Sequence, residues 1–151
     1  MVRKQIPAAS LTIVGKNPPP DLIRLANDNP EYIFVTGYVP HLDPYYERSS
    51  VVVVPVRAGS GMRVRILETF ALGMPTVTTT VGLEGIDAIP GEDVLVADTA
   101  DEFASAVIQL LLDPELQEKL AHRGRCLAES RYDVHVALKA IDHVFETLRQ
   151  A

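Results

Sequence analysis

Apolar positions along the chain follow two alternating rhythms. Short β-branched and aliphatic runs recur at Leu11-Thr12-Ile13-Val14, Tyr32-Ile33-Phe34-Val35-Thr36, Val51-Val52-Val53-Val54-Pro55-Val56, Thr76-Val77-Thr78-Thr79-Thr80 and Val94-Leu95-Val96-Ala97. The valine run in particular lacks the polar alternation of a half-exposed strand, and suits a strand buried on both faces of a parallel sheet. Between the runs the spacing turns helical. Leu22, Leu25 and Ala26 share one face of a helix opening at Asp21, Leu42 to Ser49 makes a short helix, and Val64 to Leu72 makes another. Lys16-Asn17-Pro18-Pro19-Pro20 forces an extended turn before the first of these, while Gly73 and Pro75 stop the last. Strand, helix, strand in repetition predicts an α/β fold with a parallel sheet and right-handed crossovers.

From Asp98 onward the pattern is helical. Thr99 precedes Asp101-Glu102 and the apolar set Phe103, Val107, Leu110 and Leu111, the signature of a capped amphipathic helix that Asp113-Pro114 ends. Pro114 opens a second helix, Glu115 to Arg125. After Tyr132, the residues Val134, Leu138, Ile141, Phe145 and Leu148 recur at helical spacing to the terminus and read as a core stripe.

The densest candidate chemistry lies in Gly59-Ser60-Gly61-Met62-Arg63-Val64-Arg65-Ile66-Leu67-Glu68. A buried strand, a glycine turn and a helix start in succession make an anion site. The first N–H groups of a helix lack intrahelical partners and lie at the positive end of its dipole, so phosphate is the natural guest. Arg63 and Arg65 stand in the first turn, where cations are disfavoured unless something negative joins them. The alternative is a solvated Arg65–Glu68 pair at i, i+3, a contact of about 0.2–0.5 kcal/mol. Glu68, between Leu67 and Phe70, is either a snorkelling carboxylate or a ligand for sugar hydroxyls. Gly82-Leu83-Glu84-Gly85-Ile86 forms a second glycine-bearing loop at the same carboxyl end of the sheet, where open α/β sheets bind ligands, and reads equally as a plain turn.

A chain of 151 residues, 47% hydrophobic, is about one domain with a real core, here taken as residues 1–151. Lys+Arg 14 against Asp+Glu 20 gives a net charge of -6, which argues against a nucleic-acid surface. Cys126 is the only cysteine, so no intramolecular disulfide or zinc cluster can form, and a reducing, cytoplasmic setting is expected. His41, His122, His135 and His143 show no metal-ligand spacing, so no metal is expected. No apolar run approaches the roughly 18 residues of a membrane span.

Four blocks in order resemble the C-terminal, donor-binding half of group 1 (family 4) retaining glycosyltransferases of the GT-B fold. They are Pro7 to Gly15, Phe34-Val35-Thr36-Gly37-Tyr38-Val39, Gly61 to Val77, and Gly82-Leu83-Glu84-Gly85. The resemblance runs from about Pro7 to Tyr132, and its specific part is the block from Gly61. It implies a Rossmann-like domain with a helical C-terminal segment, a nucleotide-sugar as donor substrate, and no cofactor or metal. It implies that Gly61, Arg63 and Arg65 meet the donor diphosphate, Arg65 foremost. Glu68 then binds the ribose, Gly37, Tyr38 and Val39 lie by the nucleoside, and Ser60, Gly82 and Glu84 lie on the sugar side.

Departures from the family pattern shape the remaining expectations. The first acid of the family's helix pair is replaced by Ser60, which can cap a helix but cannot act as a carboxylate. Val134 stands where a tryptophan is common. The family domain's first strand, with its glycine-arginine turn and lysine, has no counterpart before Leu11, and neither does the acceptor domain. A domain truncated at its N-terminal side must close that gap, by direct pairing of the Leu11–Val14 and Val51–Val54 strands, by Met1–Ile6, or by a second copy, so a homodimer without transferase activity of its own is expected. Two alternatives stay open: a stand-alone nucleotide-binding or assembly module without catalysis, and a fragment of a GT-B nucleotide-sugar epimerase.

Overall fold

The fold is described by a computed structural model, which describes residues 1–136, 138 and 149. The chain separates into two compact units, Met1–Ser49 and Ser50–Ala151.

In the first unit, α1 (Val2–Gln5) is followed by β1 (Leu11–Val14), α2 (Pro20–Asp28), β2 (Ile33–Gly37) and α3 (Asp43–Tyr46). Pro20 sits in the first turn of α2, where its missing N–H costs nothing, and Asp21 meets the positive end of the helix. β1 and β2 pair in parallel from Leu11 against Ile33 to Val14 against Gly37. Gly37 ends β2 at φ +72°, a conformation glycine adopts freely. The expected helix from Leu42 to Ser49 is only one turn, because the chain after Tyr46 closes with Ser49 donating to Tyr46 and Tyr45 carbonyls instead of continuing.

Met1–Ile6 does not supply a strand. Ile6 N–H donates to the Val2 carbonyl, and Arg3 fastens the segment by stacking 3.9 Å from the Tyr32 ring centroid and donating to the Ala9 carbonyl. Its backbone groups are committed to a helical turn. Nor do the Leu11–Val14 and Val52–Val54 strands pair directly, since they belong to separate sheets.

The second unit carries β3 (Val52–Val54), α4 (Val64–Ala71), β4 (Thr76–Thr78), α5 (Thr80–Leu83), β5 (Leu95–Val96), α6 (Ala100–Leu112), α7 (Pro114–Leu127) and a π-helical turn, Ala128–Tyr132. Its sheet is parallel, in the order β3-β4-β5. Successive side chains of a strand face opposite ways, and the valine run serves both faces as its composition predicts. Val52, Val54 and Val56 meet Ile66 and Phe70 of α4 and Ala128. Val51 and Val53 join Val77, with Leu110 of α6 and Leu116 and Leu120 of α7.

Thr76 and Thr78 are fully buried on the α4 side and each hydroxyl is matched. Thr76 donates to Thr69 Oγ1 at 2.9 Å, Thr69 to the Ile66 carbonyl at 2.8 Å, and Thr78 to the Val54 carbonyl at 3.0 Å. α4 ends at Gly73 with φ +65°, where Gly73 and Met74 N–H groups return to Phe70 and Thr69 carbonyls in a Schellman closure. The expected capping box of α6 forms in full between Thr99 and Glu102. Residues 134–136 and 138 are helical, whereas Ile141, Phe145 and Leu148 of the expected terminal stripe lie outside the described residues.

Beyond β5, Asp98 accepts both the N–H and the hydroxyl of Thr80, at 2.8 and 2.7 Å. The Thr80 hydroxyl, then its amide, hold the Asp98 carboxyl below its ordinary value of 3.8, and Thr99 does the same for Glu102. Because these pKa values are depressed in the folded state, the stabilisation is complete above the ordinary carboxylate range and is lost as pH falls through the folded values. Asp98→Asn is therefore expected to flatten the acid limb of a plot of thermal midpoint against pH while leaving the neutral limb nearly parallel to the parent's.

Candidate functional site

The site is built where β3 gives way to α4. Pro55 ends the ladder after Val54, and the chain runs through residues 55–63 before helix resumes at Val64. Gly59 and Gly61 take φ +128° and +85°, turning the loop where a side chain would be strained. Arg63 is the N-cap residue of α4 and supplies no side-chain cap to it. Ser60, able to cap a helix by its chemistry, stands three residues too early to do so. Its carbonyl instead accepts from Arg63 Nη1 at 2.8 Å, as the Gly61 carbonyl does at 3.0 Å. The uncapped first turn leaves backbone donors for solvent or a ligand.

Arg65 lies on the outer side of that turn, half-exposed, with Nη1 3.0 Å from Glu68 Oε2. The i, i+3 pair is thus formed. An exposed pair of this kind contributes about 0.2–0.5 kcal/mol, too little to prevent a phosphate from recruiting the arginine. The inner side of α4 is fixed by Ile66, Thr69 and Phe70, all buried, so the helix start is held on a rigid base.

The second glycine segment is not a loop throughout. Thr79 caps α5 by accepting the Gly82 N–H at 3.0 Å and donates its hydroxyl to the Val56 carbonyl. Gly82 is buried in that short helix, where a Cβ would stand 2.1 Å from Thr78 Oγ1, so packing requires glycine there. Glu84 caps the helix C-terminus and is exposed. Gly85, at φ +79°, brings its backbone against Met62, with a Cβ position 3.5 Å from Met62 Cβ. The two glycine segments therefore meet at Met62 and Gly85, as sequence order alone could not show.

Gly37 closes β2 in the first unit with Tyr38 and Val39 just after it, and Tyr38 is 73% exposed. Gly37 is tied back by its carbonyl, which accepts the Gly15 N–H at 3.1 Å.

Several supports escaped the sequence analysis. Asp93, 5% exposed, accepts from Ile89 N–H and Arg123 Nε, both at 2.8 Å, and Arg123 also reaches Glu92. Asp87 N–H donates to the Tyr132 hydroxyl, and Arg131 pairs with the Asp87 carboxylate. Together they fasten the segment after Gly85 to α7 and the π-helical turn. Thr79 was readable in principle as an N-cap three residues before Gly82, but the β-branched run around it hid the signal. Among the described residues no group of three or more His, Cys, Asp or Glu side chains could hold a metal, and no helix is long and apolar enough to cross a membrane.

A parallel sheet flanked by helices is the arrangement of a Rossmann-like glycosyltransferase domain, and solved structures share this fold. The chain superposes on sucrose-phosphate synthase from Thermosynechococcus elongatus with TM-score 0.78 at 24% identity, over 99% of this chain and 41% of that one. The C-terminal domain of a glycosyl transferase group 1 family protein, LpcC, from Francisella tularensis matches with TM-score 0.75 at 18% identity, over 88% of this chain and 74% of that one. Anabaena HepE, solved in complex with UDP, matches with TM-score 0.80 at 16% identity, over 96% and 42%. This chain thus spans about two fifths of the synthase and of HepE. The pattern of the family described as Glycosyl transferases group 1 matches residues 1–113, and the chain belongs to that family. No curated protein sequence matches it.

Proposed function

We propose that the chain is the donor-binding half of a retaining, metal-independent glycosyltransferase, taking a nucleotide-sugar and passing the sugar to an acceptor held by a separate domain. The observation that carries this is the glycine loop running into the uncapped start of α4 beside the half-exposed Arg65. HepE, of like fold, is solved with UDP, which supports a nucleoside diphosphate as the guest. In the transfer, the bond between the sugar's anomeric carbon and the diphosphate oxygen breaks and a bond to an acceptor oxygen forms. Charge accumulates on the departing diphosphate, and a preorganised cation and backbone N–H groups stabilise it there most. Arg65 supplies the cation and Gly61 the close backbone approach. Glu68, on the same helix, accepts the ribose hydroxyls. Without the acceptor domain, the chain binds donor but transfers no sugar.

Glu68→Gln separates the ribose role from a general electrostatic one. The variant is expected to lower affinity for UDP or GDP several-fold while leaving inorganic pyrophosphate nearly unaffected, because only the nucleotide carries the ribose. Calorimetric titration with both ligands reads the difference, and an equal loss for the two would remove Glu68 from the ribose.

A further inference from the structure

The glycine loop is wrapped around one of its own side chains. Arg63 Nη1 donates to the Ser60 and Gly61 carbonyls, while Nε and Nη2 of the same guanidinium are buried and meet no acceptor among the described residues. A Cβ at Gly59 would lie 2.7 Å from Nη2, so a side chain there would push the guanidinium out of this seat. The positive φ values of Gly59 and Gly61 curl the chain around it. Arg65, two residues on, is by contrast half-exposed and paired across the helix surface.

We infer that Arg63 is the positioning residue of this loop and not a phosphate ligand. Its consequence follows from peptide planarity. In a trans peptide the C=O and the next N–H point in opposite directions. With the Ser60 and Gly61 carbonyls drawn toward the guanidinium, the Gly61 and Met62 N–H groups are turned away from it. Oxygens that would repel an anion are thereby engaged, and donors that attract one are presented beside the start of α4. Met62 N–H joins the site on this account, at the point where Gly85 meets it. The inference rests on the proposed diphosphate site for its ligand, but not for the loop geometry.

A double-mutant cycle tests it, with Gly59→Ala, Arg63→Ala and the pair titrated with UDP and pyrophosphate at low and high salt. Each single change is expected to weaken both ligands on the order of tenfold, and the double no more than either, as for two groups acting through one contact. The salt dependence of binding stays that of the parent, since no phosphate contact is removed. Additive losses, or a flattened salt dependence in Arg63→Ala, would overturn the positioning role. Trypsin cleavage after Arg57 gives a readout that needs no ligand. Faster cleavage in both single variants, and no faster in the double, supports the loop-holding role; unchanged cleavage refutes it. If the parent chain bound neither ligand, the diphosphate site would fail while the cleavage result still decided the loop.

Discussion

Phe70→Ala is expected to lower the unfolding free energy by about 3–5 kcal/mol, the range for deleting a buried aromatic ring. Phe70 is 1% exposed and belongs to the same buried cluster as Val54, Val94 and Ala128. α7 approaches it so closely that a Cβ at Gly124 would stand 3.0 Å from the ring. The cavity left by alanine has little prospect of collapse. Gly124 has no side chain to fill it, and α4 is tied to β4 by the buried Thr69–Thr76 hydroxyl bond. Since total stabilities of domains run about 5–15 kcal/mol, this one change removes a large share. Urea unfolding followed by far-UV circular dichroism measures it; a loss under about 1 kcal/mol would mean that the ring is far less enclosed than the fold places it.

Arg65→Ala is expected to act on binding and hardly on stability. A hydrogen bond to a charged group contributes about 1.5–3 kcal/mol, which corresponds to roughly a 12- to 160-fold loss of nucleoside diphosphate affinity. The exposed pair with Glu68 accounts for about 0.2–0.5 kcal/mol of folding stability. This opposition separates a ligand from a surface ion pair. Unchanged affinity together with a slightly lowered midpoint would return Arg65 to its pairing with Glu68. A loss common to UDP, GDP, ADP and pyrophosphate is the expected pattern, because all four present the same diphosphate.

Local signals carried much of this fold. The unbroken valine run correctly predicted a strand covered on both faces, because burial on each side demands apolar residues at odd and even positions alike. Thr99 with Glu102, Asp113 with Pro114, and Gly73 each mark a helix end by chemistry confined to a few residues, and each is observed there. Long-range features were not legible. Thr78 and Thr79 look like ordinary strand residues until their hydroxyls are seen on Val54 and Val56 carbonyls, more than twenty residues away. Gly82 looked like a loop glycine, but its requirement comes from the Thr78 hydroxyl beneath it. At the site, the glycine turn and Arg65 were readable from spacing. The inward turn of Arg63 was not, because it depends on loop curvature that no residue pattern encodes.

The central claim is that a nucleoside diphosphate seats at the start of α4. Backbone amide NMR of the full chain during titration with UDP tests it most directly. The predicted result is saturable shifts of the Gly61, Met62, Val64 and Arg65 amides, reproduced by pyrophosphate at those positions. Saturable shifts confined to another part of the surface, such as the groove lined by Leu95, Ala97, Ser105 and Gln109, with the amides of residues 61–65 unmoved, would contradict it.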